Sequence, residues 1–176
     1  GIYHLLLYFR IPKLYILAYA GAILSLCCGN FFRWGYGLEY IWPAISVPTK
    51  PVFFFIISLA SVFFILFFVH LTGVHRSNRY IKNYYYTMCF AFLAVAVASP
   101  FASATKLVPP IVLLTLLMHC SNIVLAIAQW HLGNNAGKYY FLAIAPAMIG
   151  FSIFATTAYG LLPTTVYTPY ISQTGI

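Results

Sequence analysis

The sequence has 176 residues, of which 63% are hydrophobic and only 6% charged, with a formal net charge of +8. A soluble domain carries about 25% charged residues, so an ordinary water-soluble protein is excluded. The positive balance reflects a near absence of acids, Glu39 being the only one. The nine Lys and Arg are scattered through short loops, as membrane-topology signals are; they do not form the one-faced cluster of a nucleic-acid footprint, which excludes a nucleic-acid partner.

In chain order, residues 1–9 are apolar but too short to cross a bilayer, because a helical span needs about 20 residues. They read as the tail of a partial first span. Arg10, Ile11, Pro12 and Lys13 make a polar turn. A second span is expected at 14–32, where Ala18, Ala22, Ser25 and Gly29 recur at helical spacing as a small-residue seam. Residues 33–51 read as a loop with three prolines and the interface-seeking aromatics Trp34, Tyr36, Tyr40 and Trp42.

The third span, at 52–71, is apolar on every side and shows no water-facing stripe. Residues 72–83 form the most cationic loop, with His75, Arg76, Arg79 and Lys82. A fourth span follows at 84–100, where Ala91, Ala94 and Ala98 suggest a second small-residue seam. After a short loop containing Lys106, the fifth span is expected at 110–130. The Gly- and Asn-rich turn 131–138 leads to a sixth span at 139–159, with Pro146 placed to kink it. The tail, 160–176, is polar. The expected fold is all-α: a polytopic transmembrane helix bundle with five full spans plus a partial first one, as one transmembrane domain embedded in the lipid bilayer.

Orientation follows from the cations. Arg10, Lys13, Arg76, Arg79, Lys82 and Lys138 fall on one side, and Arg33, Lys50 and Lys106 on the other. The positive-inside rule assigns the richer side, with the basic loop Arg76, Arg79 and Lys82, to the cytoplasm. The tail is then outside, and one further crossing would return the chain to the cytoplasm. Gly1 is not an initiator Met and no signal peptide is visible, so the chain reads as part of a longer product.

Catalysis finds little support in these residues. One carboxylate cannot make an acid–base pair, and no second acid is present to orient a histidine. The four cysteines lie in apolar runs with no metal-binding spacing and read as small buried residues. Of five histidines only His119 sits at mid-membrane depth, which disfavours a haem held by two axial histidines. No catalytic, metal or cofactor site is expected. The one organised polar feature is on span five, where Thr115, His119, Asn122 and Gln129 share a helical face with Ala126 between them. Such a stripe serves as interhelical hydrogen bonding, as the wall of a small-molecule pocket or signalling relay, or as a transport path.

The loops carry a resemblance. Tyr8, Phe9 and Arg10 followed by Leu14 and Tyr15, the run Gly37-Leu38-Glu39-Tyr40-Ile41-Trp42-Pro43, Phe67 to Leu71 ahead of the basic loop, Gly133 through Ala143, Gly160-Leu161-Leu162-Pro163 and finally Gly175 follow one another in order. Together they resemble the transmembrane domain of the bacterial 7TM receptors with diverse intracellular signalling modules, across essentially the whole chain. Ile11 stands where that family usually has an acid, and Glu39 where it often has Gln. The resemblance implies a receptor in the bacterial inner membrane. It would pass an extracytoplasmic cue to a cytoplasmic signalling domain in cis, such as a histidine kinase, nucleotide cyclase or phosphatase, reached through a seventh helix beyond Ile176. A second copy of the chain is the other protein partner considered. The competing reading is a membrane subunit of a respiratory or transport complex that uses His119 and its stripe.

Overall fold

A computed structural model describes residues 2–33, 36, 49–73 and 79–158. Most of the aromatic loop with Glu39, the basic residue Arg76, and the tail containing Gly160 to Pro163 and Gly175 lie outside the described residues. The described elements are α1 (Ile2–Arg10), α2 (Leu14–Arg33), α3 (Thr49–Thr72), α4 (Arg79–Ala98), α5 (Ala104–His131) and α6 (Asn135–Ala158), and no strand occurs among them. Within α2 to α5, the segments Leu14–Phe32, Pro51–Thr72, Arg79–Ala98 and Thr105–His131 are long and apolar enough to cross a membrane. The architecture is all-α and polytopic, that of an integral membrane protein.

The helices overrun the apolar segments that define the spans. α3 begins at Thr49 rather than at Val52, α4 at Arg79 rather than Tyr84, α5 at Ala104 rather than Pro110, and α6 at Asn135 rather than Tyr139. The hydrocarbon core dictates only the length that must be apolar. Beyond it, the helix continues as long as backbone bonds and caps permit. Pro51 fits inside the first turn of α3, where its missing N–H has no helical partner to lose. Pro109 and Pro110 sit deeper inside α5. The two cations Arg79 and Lys82 therefore belong to the first turn of α4 and not to a loop.

Packing divides the chain into two units, Gly1–Met118 and His119–Ile176. In the first, α3 lies between α2 and α4, and α1 packs on α2. The α2 seam explains the pairing of α2 with α3. Ala18, Ala22, Ser25 and Gly29 are all buried. A Cβ on Gly21 would stand 2.9 Å from the Phe63 ring, and one on Gly29 would meet Ile56 and Ile57. Since the earlier glycine meets the later part of α3, the two helices run antiparallel. Tyr19 and Phe67, with ring centroids 5.2 Å apart, extend the same register.

On α4 the expected seam is corrected. Ala94 is exposed and Ala91 and Ala98 are half-buried, while the buried face is Tyr85, Met88, Cys89, Phe92 and Ala96. Phe68 and Phe92 are fully buried, and the Tyr85 ring lies 5.6 Å from that of Phe68. Helix association in lipid is decided by packing contact and not by hydrophobicity, and large interlocking side chains supply more of it than alanines do. Phe90, Leu93 and Val97 are exposed on the other side, as suits a lipid-facing surface. The cysteines divide in the same way: Cys89 is buried, but Cys27, Cys28 and Cys120 are exposed, contrary to the reading of all four as buried.

Helix ends follow local chemistry. α3 stops at Gly73, whose φ of 69° is the left-handed value that closes a helix. α4 ends before Pro100, where the Ser99 hydroxyl donates to the Ala96 carbonyl at 2.8 Å. α5 starts on Ser103, whose carbonyl accepts from the Lys106 and Leu107 amides at 3.0 and 3.3 Å.

Candidate functional site

The polar residues of the α5 stripe find different partners. Thr115, in the first unit, is buried and donates its hydroxyl to the Ile111 carbonyl one turn back, at 2.7 Å. A hydroxyl in hydrocarbon can satisfy itself on its own helix in this way. The other three positions belong to the second unit. His119 is half-buried and is engaged with its surroundings. Asn122 is only 1% exposed, and its Nδ2 donates to the hydroxyl oxygen of Tyr140 on α6 at 3.0 Å. Gln129 is half-buried, and its Oε1 accepts from Nδ2 of Asn134 at 3.2 Å.

The turn between α5 and α6 shows why these groups meet. α5 ends in a paired closure: the Gly133 amide donates to the Trp130 carbonyl, and the Asn134 amide to the Gln129 carbonyl, both at 2.9 Å. This arrangement needs a left-handed residue, supplied by Gly133 with φ 84°. Asn134 then caps α6, its Oδ1 accepting from the Ala136 amide at 3.0 Å. Gln129 and Asn134 thus fix the turn, and the turn folds α6 back along the end of α5. Gly137 and Ala126 let the two backbones come close. A Cβ on Gly137 would stand 2.5 Å from the Ala126 carbonyl oxygen, and Ala126 is itself fully buried. Tyr140, one turn on from Gly137, is delivered to Asn122.

The stripe is therefore three kinds of group. Thr115 is closed on its own helix, Asn122 ties α5 to α6, and Gln129 holds the turn. Tyr140, Asn134 and Gly137 carry the other half of this arrangement, and the linear reading missed them. A signal for the pair was present, since Asn122 and Tyr140 are 18 residues apart on opposite sides of the turn, a spacing that partners across a helical hairpin can have.

The cationic end has its own geometry. Arg76 lies outside the described residues, while Arg79 and Lys82 are exposed in the first turn of α4. Lys82 Nζ stands 5.7 Å from the centroid of the Tyr86 ring. Lys13 is placed 6.0 Å from the Tyr15 ring and Lys138 5.9 Å from that of Trp130. Each lysine lies at or near the start of a helix and rests on an aromatic ring within cation–π range. This is the arrangement of a side chain that keeps its charge in water while its stem covers apolar surface. Among the described residues, no three His, Cys, Asp or Glu side chains gather in a way that could hold a metal ion.

Comparison with known proteins places these features in a family. No curated protein and no solved structure matches the chain. The family model described as 7TM diverse intracellular signalling matches residues 1–176. The chain, with its polytopic all-α fold, therefore belongs to the 7TM diverse intracellular signalling family of transmembrane sensory domains.

Proposed function

We propose that this domain receives an extracytoplasmic cue and relays it to a cytoplasmic signalling module in cis, and that it performs no catalysis itself. The observation that carries this reading is the family match over the full 176 residues. The bacterial inner membrane is the setting that fits it. In the orientation set by the cations, Lys13, Lys82 and Lys138 with their aromatic rings lie at the cytoplasmic surface, where lysines anchor best.

The relay is a shift between two helix packings, which a stimulus biases by binding one of them more tightly. The contact between α5 and α6 suits such a shift. A buried polar bond in a membrane averages only about 0.6 kcal/mol, so the Asn122–Tyr140 bond specifies one arrangement without locking it. The module on the cytoplasmic side is a kinase, cyclase or phosphatase.

The test uses membranes containing the intact gene product, assayed for protein phosphorylation from ATP, nucleotide cyclisation and phosphate release. One of these activities is expected, and Asn122→Leu should change its basal rate severalfold at unchanged protein level. An output that is identical in wild type and in every stably inserted Asn122 and Tyr140 variant would overturn the relay. The absence of all three activities would remove the module assigned to it.

A further inference from the structure

A shallow groove opens between the C-terminal end of α3 and the N-terminal end of α4. It has two chemically distinct parts. Leu66 and Val69 make an apolar wall, whereas His70, Lys82 and Tyr86 stand where the helices leave their apolar stretches. Lys82 and Tyr86 are exposed, so the cation and the phenol edge are presented outward. No carboxylate balances them among the described residues, since the chain's only acid is Glu39. A site with a cation and a phenol at the water boundary and an aliphatic wall running into hydrocarbon is complementary to one class of molecule. It fits an anion covalently attached to an alkyl chain.

We propose that this groove binds an anionic phospholipid, with its phosphodiester on Lys82 beside Tyr86 and an acyl chain along Leu66 and Val69. A free phosphate would meet the cation but leave the aliphatic wall uncovered, and a neutral lipid would leave the lysine uncompensated. Because the groove is formed by both helices, an occupied headgroup clamps the end of α3 to the start of α4.

The test is native mass spectrometry of the 176-residue chain released from nanodiscs of equimolar phosphatidylglycerol and phosphatidylcholine. The chain should retain phosphatidylglycerol in preference. Lys82→Gln should weaken that preference about five-fold, the factor expected for one lysine near an anionic surface. Lys106→Gln removes an equally exposed cation elsewhere and should leave it unchanged. Val69→Trp fills the groove at constant charge and should abolish retention. Lys82 is exposed, so its substitution leaves the packing intact and decides the matter even if the tryptophan variant does not insert. Equal losses in the two lysine variants would show diffuse surface attraction and overturn the site. Full retention by an inserted Val69→Trp would do the same, as would displacement of the lipid by inorganic phosphate.

Discussion

Replacing Gly137 by alanine tests a close helix approach in the second unit. An alanine Cβ would lie 2.5 Å from the Ala126 carbonyl oxygen, 3.0 Å from the Gln129 Cβ and 3.1 Å from the Trp130 amide nitrogen. Even a weak C–H···O contact needs about 3.3 Å between carbon and oxygen, so α6 must withdraw by roughly 0.8 Å. Two of the three obstacles are backbone atoms and cannot swing aside. Overpacking of this kind costs about 1–3 kcal/mol. The withdrawal also stretches the 3.0 Å bond between Asn122 and Tyr140 past hydrogen-bonding range, losing about 0.6 kcal/mol more. Alanine's better helix propensity returns at most about 1 kcal/mol. The net expectation is a destabilisation of about 2 kcal/mol. Gly21→Ala is the comparison, because its obstacle at 2.9 Å is the half-buried Phe63 ring, a side chain and not backbone, and it should cost less than Gly137→Ala. Reversible unfolding in mixed micelles, followed by far-ultraviolet circular dichroism, measures both. A Gly137→Ala protein as stable as wild type would refute the close approach, and so the registration of α5 against α6.

Three further outcomes follow from the same geometry. Gly133→Ala forces a Cβ into a φ of 84° and should cost about 1–2 kcal/mol, while Gly133→Asn should be milder; equal effects of the two in the same unfolding assay would argue against the left-handed closure. A double-mutant cycle of Asn122→Ala with Tyr140→Phe should yield a coupling of about 0.6 kcal/mol and no more than about 1.7, and a coupling indistinguishable from zero would remove the bond from the account of the hairpin. For orientation, a cysteine-free chain carrying Leu132→Cys, exposed in the turn after α5, should resist a membrane-impermeant thiol reagent in intact cells. Phe101→Cys, exposed in the turn after α4, should react, and the reverse pattern would invert the topology.

Much of this protein was legible in its residues. The bilayer imposes a simple demand, about 20 consecutive apolar residues per span, and composition alone therefore exposes the transmembrane helices. The loop signatures pointed to the family, and the Ala18, Ala22, Ser25 and Gly29 seam pointed to a close helix pair, because small residues on one face leave room that a neighbour fills. What the linear chain could not decide is which face of α4 turns inward. Ala91, Ala94 and Ala98 formed as good a stripe as Tyr85, Met88 and Phe92, and only the presence of Phe68 on α3 selects the latter. Helix ends were hidden for a related reason. They depend on caps such as Ser103 and Asn134 and on cations that reach back to water, whereas hydropathy reports only the depth of hydrocarbon. The polar stripe was visible as a periodicity, but its division of labour was not. Whether an amide on α5 ties two helices, fixes a turn or closes on its own backbone is set by what the returning chain brings opposite it. Tyr140 reaches Asn122 only because Gly133 and Asn134 turn the backbone and Gly137 lets α6 lie against Ala126.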